Sequence, residues 1–197
     1  DCAFWDLEAK RSGSPVYECA GLPAPHALTT AYTISLAAPA AMAEAAAKAA
    51  SRALLKVKLG ADGDPARIAA ARAAAPKATL IVDVNEGWDE RNLAANLAAC
   101  AQAGVALVEQ PLPEDADSML ASIKHPMPIC ADESVHDRAS LPTLGKRYDA
   151  ININLDKTDG LTEELAMADD AQRLGLDIML GCMLATSLAM APAMLVA

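Results

Sequence analysis

The chain has 197 residues, 53% hydrophobic and 3% aromatic, with 16 basic against 26 acidic side chains and a formal net charge of −10. That length can bury a sizeable core, and charged residues at only 21% argue against disorder. The acid surplus argues against non-specific nucleic-acid binding, which needs Lys and Arg facing phosphates.

No run reaches the ~18 consecutive apolar residues of a membrane span, so no membrane partner is expected. The Ala-rich stretch 37–53 comes closest, and Glu44, Lys48, Ser51 and Arg52 interrupt it. No segment reads as a secretory signal. Five cysteines, Cys2, Cys19, Cys100, Cys130 and Cys182, lie far apart with no C-x-x-C pair. They read as reduced thiols of a cytoplasmic protein. The first residue is Asp and the last residues are apolar, so the chain is expected to be a piece of something longer.

In chain order, residues 1–21 predict an amphipathic helix bearing Phe4, Trp5 and Leu7, then a turn at Gly13-Ser14-Pro15. Strands are expected at 32–36, 54–59, 80–84, 105–109, 129–132, 150–155 and 177–180. Between them, helices are expected after Pro39 to about Ala53, from around Asp64-Pro65 onward, and over 89–103, 117–124, 137–145 and 161–174. A last helix begins at Ser187. Asp64-Pro65 is a cap followed by Pro in the first turn, and Gly104 and Gly175 are helix stops. Seven strands alternating with helices predict a parallel α/β architecture, which an open sheet and a closed barrel both satisfy.

The informative residues stand at the strand ends. Lys58, Asp83, Glu109, Asp132 and Lys157 each follow an apolar run, at intervals of 25, 26, 23 and 25 residues. That is one strand plus one helix per interval, so all five belong on the carboxyl-end face, where such folds place their chemistry. Any one of them alone reads as an ordinary helix cap or loop residue. Three converging carboxylates would repel one another, and a hard divalent cation relieves this; all-oxygen ligation suits Mg²⁺. Lys56 and Lys58 are two apart in a strand and so share a side. Each is expected to depress the other's pKa toward a usable neutral amine. In an eight-stranded barrel, Lys58 and Lys157 would face a bound substrate from opposite sides. That geometry can remove a proton from one face of a carbon and return one to the other.

Lys56-Val57-Lys58, Asp83-Val84-Asn85, Val108-Glu109-Gln110-Pro111-Leu112-Pro113 and Ala131-Asp132-Glu133-Ser134 form an ordered set of motifs. The set continues with residues 151–158, Ile-Asn-Ile-Asn-Leu-Asp-Lys-Thr, and with Gly181-Cys182-Met183-Leu184. Together they resemble the enolase superfamily in its muconate-lactonising subgroup, and within it the dipeptide epimerases of the alanyl-glutamate type. The resemblance implies an incomplete modified TIM-type (β/α)₇β barrel, with residues 1–21 leading in from a capping domain and 22–197 forming a barrel cut before strand eight. It also implies an Mg²⁺-dependent isomerase moving a proton through a metal-stabilised enediolate, on a small-molecule dipeptide substrate such as L-Ala-D/L-Glu. The metal ligands would be Asp83, Glu109 and Asp132. Lys58 and Lys157 would be the two acid/bases, with Lys56 tuning Lys58. Asn85 and Glu133 would lie one layer further out. Cys182 and Met183 would line the pocket, although burial as packing residues is the plainer reading of both.

N-acylamino acid racemase, o-succinylbenzoate synthase and muconate cycloisomerase share this frame, and a non-catalytic barrel remnant is the reading of a different class. A homo-oligomer is left open, because unpaired edge strands would tend to associate. His26, His125 and His136 share no metal spacing and read as surface or loop residues, and Ser134 and Ser187 lack a His partner for hydrolysis. Met179, Met183, Met190 and Met194 are expected to pack into a core, or to do so in a longer chain.

Overall fold

The computed structural model describes residues 1–197. It contains seven parallel strands: β1 (Tyr32–Ile34), β2 (Leu54–Lys58), β3 (Thr79–Asp83), β4 (Val105–Glu109), β5 (Ile129–Ala131), β6 (Ala150–Asn154) and β7 (Asp177–Gly181). The helices are α1 (Cys2–Ser12), α2 (Val16–Cys19), α3 (Pro39–Lys48), α4 (Asp64–Ala74), α5 (Leu93–Gln102), α6 (Leu141–Leu144), α7 (Leu161–Arg173) and α8 (Ser187–Met190). This is the α/β fold of an incomplete TIM-type barrel. No helix is long and apolar enough to cross a membrane.

The chain divides into two compact units. One comprises Thr29–Ser134 with Lys146–Asp149; the other comprises Asp1–Leu28, Val135–Gly145 and Ala150–Ala197. In the first, β1 to β5 follow chain order as neighbours. Leu55, Val57, Leu80, Val82, Val108 and Ile129 are fully buried, and on β2 they alternate with the half-buried Leu54, Lys56 and Lys58. Met42 and Ala46 of α3, Ile68 and Ala71 of α4, and Leu93, Leu97 and Cys100 of α5 supply the helical side of that core. Parallel pairing sets Lys58 beside Asp83, Asp83 beside Glu109, and Glu109 beside Cys130. The register alone therefore aligns three of the ionisable strand ends.

In the second unit β6 pairs with β7, and Ile151, Ile153, Leu161, Met167 and Ala171 are buried. Here α1 is tied to the start of α7. Trp5 Nε1 donates to Thr162 Oγ1 at 2.9 Å, and Thr162 donates from its backbone N and its Oγ1 to the Asp1 carboxylate at 2.9 and 2.8 Å.

Element boundaries depart from the expectations where side chains compete with the helix. Asp89 draws the backbone N–H groups of Arg91 and Asn92 into a turn, so α5 starts at Leu93 rather than Asp89. Segment 117–124 is a short 3-10 helix, Asp117–Ser122, and 137–145 breaks into a 3-10 turn and the four residues of α6. The sequence predicts Asp64 as a cap, but Gly63, with a φ of 88°, holds the cap position of α4. Phe4 and Leu7 are exposed, and α1 buries none of its residues. Met183, Met190 and Met194 are exposed and Met179 is half-buried.

Candidate active site

The carboxyl ends of β2, β3 and β4 build a compact charged cluster inside the first unit. Asp83 and Glu109 are 1% and 0% exposed. Burying two carboxylates is costly unless cations meet them, and the two β2 lysines do so. Lys56 Nζ lies 2.9 Å from Asp83 Oδ2 and 2.7 Å from Glu109 Oε2. Lys58 Nζ lies 2.7 Å from the same Asp83 oxygen and donates to Asn85 Oδ1 at 2.6 Å. Asn85 then donates from Nδ2 to Glu133 Oε1 at 3.0 Å, so a continuous polar chain runs from β2 to the segment after β5. Asn85 and Glu86 adopt positive φ of 46° and 64°, which turns the backbone after β3 so that the Asn85 amide returns toward Lys58.

The electrostatics correct one expectation. Burial pulls the Lys56 ammonium down, but Glu109 and Asp83 together outweigh it and hold Lys56 above the ordinary lysine range. Its neighbour on β2 does not make it a neutral amine. Glu109 moves the other way for a carboxylate, pushed up to about 7 first by burial and then by the charge of Asp83, with Lys56 opposing and Asp132 adding to the rise. Two carboxylates share one close ammonium, which stabilises Lys56 twice over and Glu109 only in part. The buried Cys130 thiol, beside this cluster, is raised well above its usual value by burial, which makes it unreactive.

Asp132 lies just past β5, 8% exposed. It is close enough to Glu109 for their charges to interact. As the side chains stand, no three acidic, His or Cys groups converge as a cage around one ion, and Lys56 Nζ sits between two of the carboxylates. The donor set itself fits a hard divalent cation. It is all carboxylate oxygen from three consecutive strand ends, and it holds Glu109 as a destabilised anion that an added cation would relieve.

The other sequence-predicted residues belong to the second unit. Lys157 is exposed on the turn after β6, where its backbone N donates to Asn154 O at 2.8 Å. It stands three residues beyond the strand rather than at its end. Cys182 and Met183 follow β7 and are exposed, which overturns burial as packing residues. The Met183 backbone N donates to Asp156 Oδ2 at 3.3 Å. His26 and His136 are exposed as expected, whereas His125 is partly buried and bonded through Nδ1 to Asp149 at 2.6 Å.

Two supporting networks were not evident from strand-end spacing. Asp64 is 1% exposed and accepts from Gly60 N, Ala61 N, Arg67 Nη1 and Trp88 Nε1, the last at 2.8 Å. It joins the loop after β2 to the loop after β3. These loops touch backbone to backbone, since a Cβ on Gly87 would lie 2.4 Å from Gly60 Cα. The second network gathers Gln110, Asp117, Ser134, Arg147 and Tyr148 beneath β4 and β5. Gln110 directly follows Glu109, and that adjacency was the one available signal.

A family model described as "Enolase C-terminal domain-like" matches residues 38–197. The chain is 47% identical to L-Ala-D/L-Glu epimerase of Escherichia coli (strain K12), over 98% of this chain and 61% of that protein. It is also 47% identical to N-acetyl-D-glutamate racemase of a Pseudoalteromonas species, over 100% of this chain and 62% of that one. Among solved structures, an enolase family member from Agrobacterium tumefaciens with homology to dipeptide epimerases, with bound sodium and L-Ala-L-Glu, superposes with a TM-score of 0.96 at 57% identity, covering 100% of this chain and 60% of its own. A dipeptide epimerase from Cytophaga hutchinsonii complexed with Mg and D-Ala-L-Val gives a TM-score of 0.90 at 28% identity, covering 98% and 55%. The chain thus spans about three fifths of the length of the curated relatives it matches.

Proposed function

Because the chain belongs to the enolase C-terminal domain-like family, we propose that its protein is an Mg²⁺-dependent epimerase of L-Ala-D/L-Glu-type dipeptides. The reaction is a 1,1-proton transfer at the carbon alpha to the substrate carboxylate. The observation that carries this reading is the register of Lys58, Asp83 and Glu109, with Lys56 Nζ bridging the two carboxylates. That cluster pairs a proton carrier with an acidic seat for a cation.

Asp83, Glu109 and Asp132 would hold Mg²⁺, which when bound supplies positive charge against the negative charge that develops on the substrate carboxylate. Lys58 Nζ takes or returns the proton on one face, and Lys157 Nζ serves the other. The Asn85 amide, itself held by Glu133, fixes where Lys58 Nζ points. Lys56 stays cationic and faces the substrate carboxylate, while Cys182 and Met183 line the side-chain pocket. Residues 1–21 lead into the barrel formed by 22–197. The relatives' substrates support a small-molecule partner, and we place the protein in the cytoplasm with the homo-oligomer left open.

A second reading, racemisation of an N-acylated glutamate, is favoured by the Pseudoalteromonas relative. Incubating the intact protein with Mg²⁺ in D₂O against L-Ala-L-Glu and against N-acetylglutamate separates them. The dipeptide should gain deuterium at its glutamyl α-carbon and appear as both epimers. Exchange into N-acetylglutamate only would favour the second reading, and exchange into neither would end both.

A further inference from the structure

Gln110 is the first residue after β4, and its backbone φ of 34° is uncommon for a long side chain. Its side chain is completely buried and bonded at both ends. Oε1 accepts from the backbone N–H of Asp132 at 2.8 Å and of Ser134 at 3.2 Å. Nε2 donates to the Leu112 carbonyl at 2.9 Å, Ser134 Oγ at 2.9 Å and Tyr148 OH at 3.0 Å.

These two ends cannot be exchanged. The Asp117 carboxylate, 1% exposed and paired with Arg147 at 2.6 Å, only accepts. The Ser134 and Tyr148 hydroxyls both direct their single protons to its Oδ2 at 2.8 Å. They are left to Gln110 as acceptors, so its NH₂ must face them and its carbonyl must face the Asp132 backbone. An amide is the side chain that satisfies both demands, and neither a carboxylate nor an apolar group does so.

We infer that Gln110 is a positioning residue that sets the span between Glu109 and Asp132 and thereby the affinity of the site for Mg²⁺. The inference rests on the metal-ligand reading proposed above. One end of the Gln110 side chain is anchored by a charge-balanced network, its backbone is continuous with Glu109, and its other end grips the peptide N–H of Asp132. Loss of the amide frees the two ligands to move independently.

The test is Mg²⁺ titration by calorimetry of the intact protein, together with thermal melting in EDTA. Gln110→Met should weaken Mg²⁺ binding by about 10- to 100-fold, the range for groups that orient metal ligands. Leu97→Ala, a core truncation in α5, should lower the melting temperature while leaving Mg²⁺ affinity within about twofold. Should Gln110→Met not fold, Gln110→Asn, whose amide is one methylene too short to span, carries the same expectation. Mg²⁺ affinity that falls as far in Leu97→Ala as in the Gln110 variant, or that stays at wild-type level in the Gln110 variant, overturns the inference. Asp83→Asn separates the two levels. If it binds Mg²⁺ like wild type, the metal-ligand reading falls and takes the inference with it. If it loses Mg²⁺ while Gln110→Met does not, only the role of Gln110 falls.

Discussion

In the unit built on β1 to β5, Asp83, Glu109 and Gln110 are almost inaccessible to solvent, and close polar partners from neighbouring strands or loops meet each of them. In the unit built on β6 and β7, Glu164 is equally inaccessible, and neither of its carboxylate oxygens has a hydrogen-bond donor. Its pKa is pushed up to about 7 by burial alone. The same physical cost is met in the first unit by ammonium groups and amides, which still leave Glu109 raised to about 7, whereas Glu164 in the second has no hydrogen-bond donor at all. Register brings two lysines to the strand-end carboxylates of the first unit, and that is where a cation-binding site can be built. Lys157 lies exposed on the turn after β6.

Substituting the lysines probes the comparison with the largest expected effect. Lys58→Ala and Lys157→Ala should each lower epimerase turnover by about 10²- to 10⁴-fold, the usual worth of a positioned acid/base. Each variant should still exchange the α-proton of one epimer in D₂O, and of opposite epimers in the two cases. NMR of the recovered dipeptide checks this, and exchange of the same epimer in both variants would break the opposed-face account. Next in size, Asp83→Asn should weaken Mg²⁺ binding by about 100-fold, at or beyond the upper end for groups that merely orient ligands, as read by calorimetry.

Glu164→Gln sharpens the contrast from the other unit. In the unfolded chain Glu164 ionises near 4.5, and in the folded protein near 7. Below pH 4.5 both states hold the proton and the shift has no effect. Between pH 4.5 and 7 the unfolded chain releases its proton first, so stability falls as pH rises, and above 7 the whole penalty is present. The variant should therefore be more stable at pH 8 by on the order of 3 kcal/mol, with little change at pH 4. Thermal melting across that range measures it, and equal melting temperatures at pH 8 would show that Glu164 carries no burial penalty. Smallest, Trp88→Phe removes one of the donors to Asp64 and should cost about 1 kcal/mol, readable as a shifted urea midpoint.

Much of the frame was legible because it is periodic. One strand plus one helix repeats every 23–26 residues, and the apolar runs that precede Lys58, Asp83, Glu109 and Asp132 fix their place in the repeat. The remainder depends on contacts between residues far apart in the chain. Nothing in Lys56-Val57-Lys58 says that Lys56 would bridge carboxylates on two other strands. Glu164 lies in the first turn of a charged helix, where a solvated carboxylate is the ordinary outcome. Gln110 is only the residue after a strand until Asp117, Ser134 and the pair Arg147-Tyr148 arrive from three places in the sequence. Cys182 and Met183 look like core residues by composition, yet both are exposed.

The central claim is that Asp83, Glu109 and Asp132 share one divalent cation. Anomalous diffraction from crystals of the intact protein soaked in Mn²⁺ tests it most directly, since Mn²⁺ takes the same oxygen ligands as Mg²⁺. A single strong peak within about 2.0–2.3 Å of an oxygen from each of the three carboxylates is the predicted result. A peak elsewhere, or one touching only a single member of the trio, would contradict it.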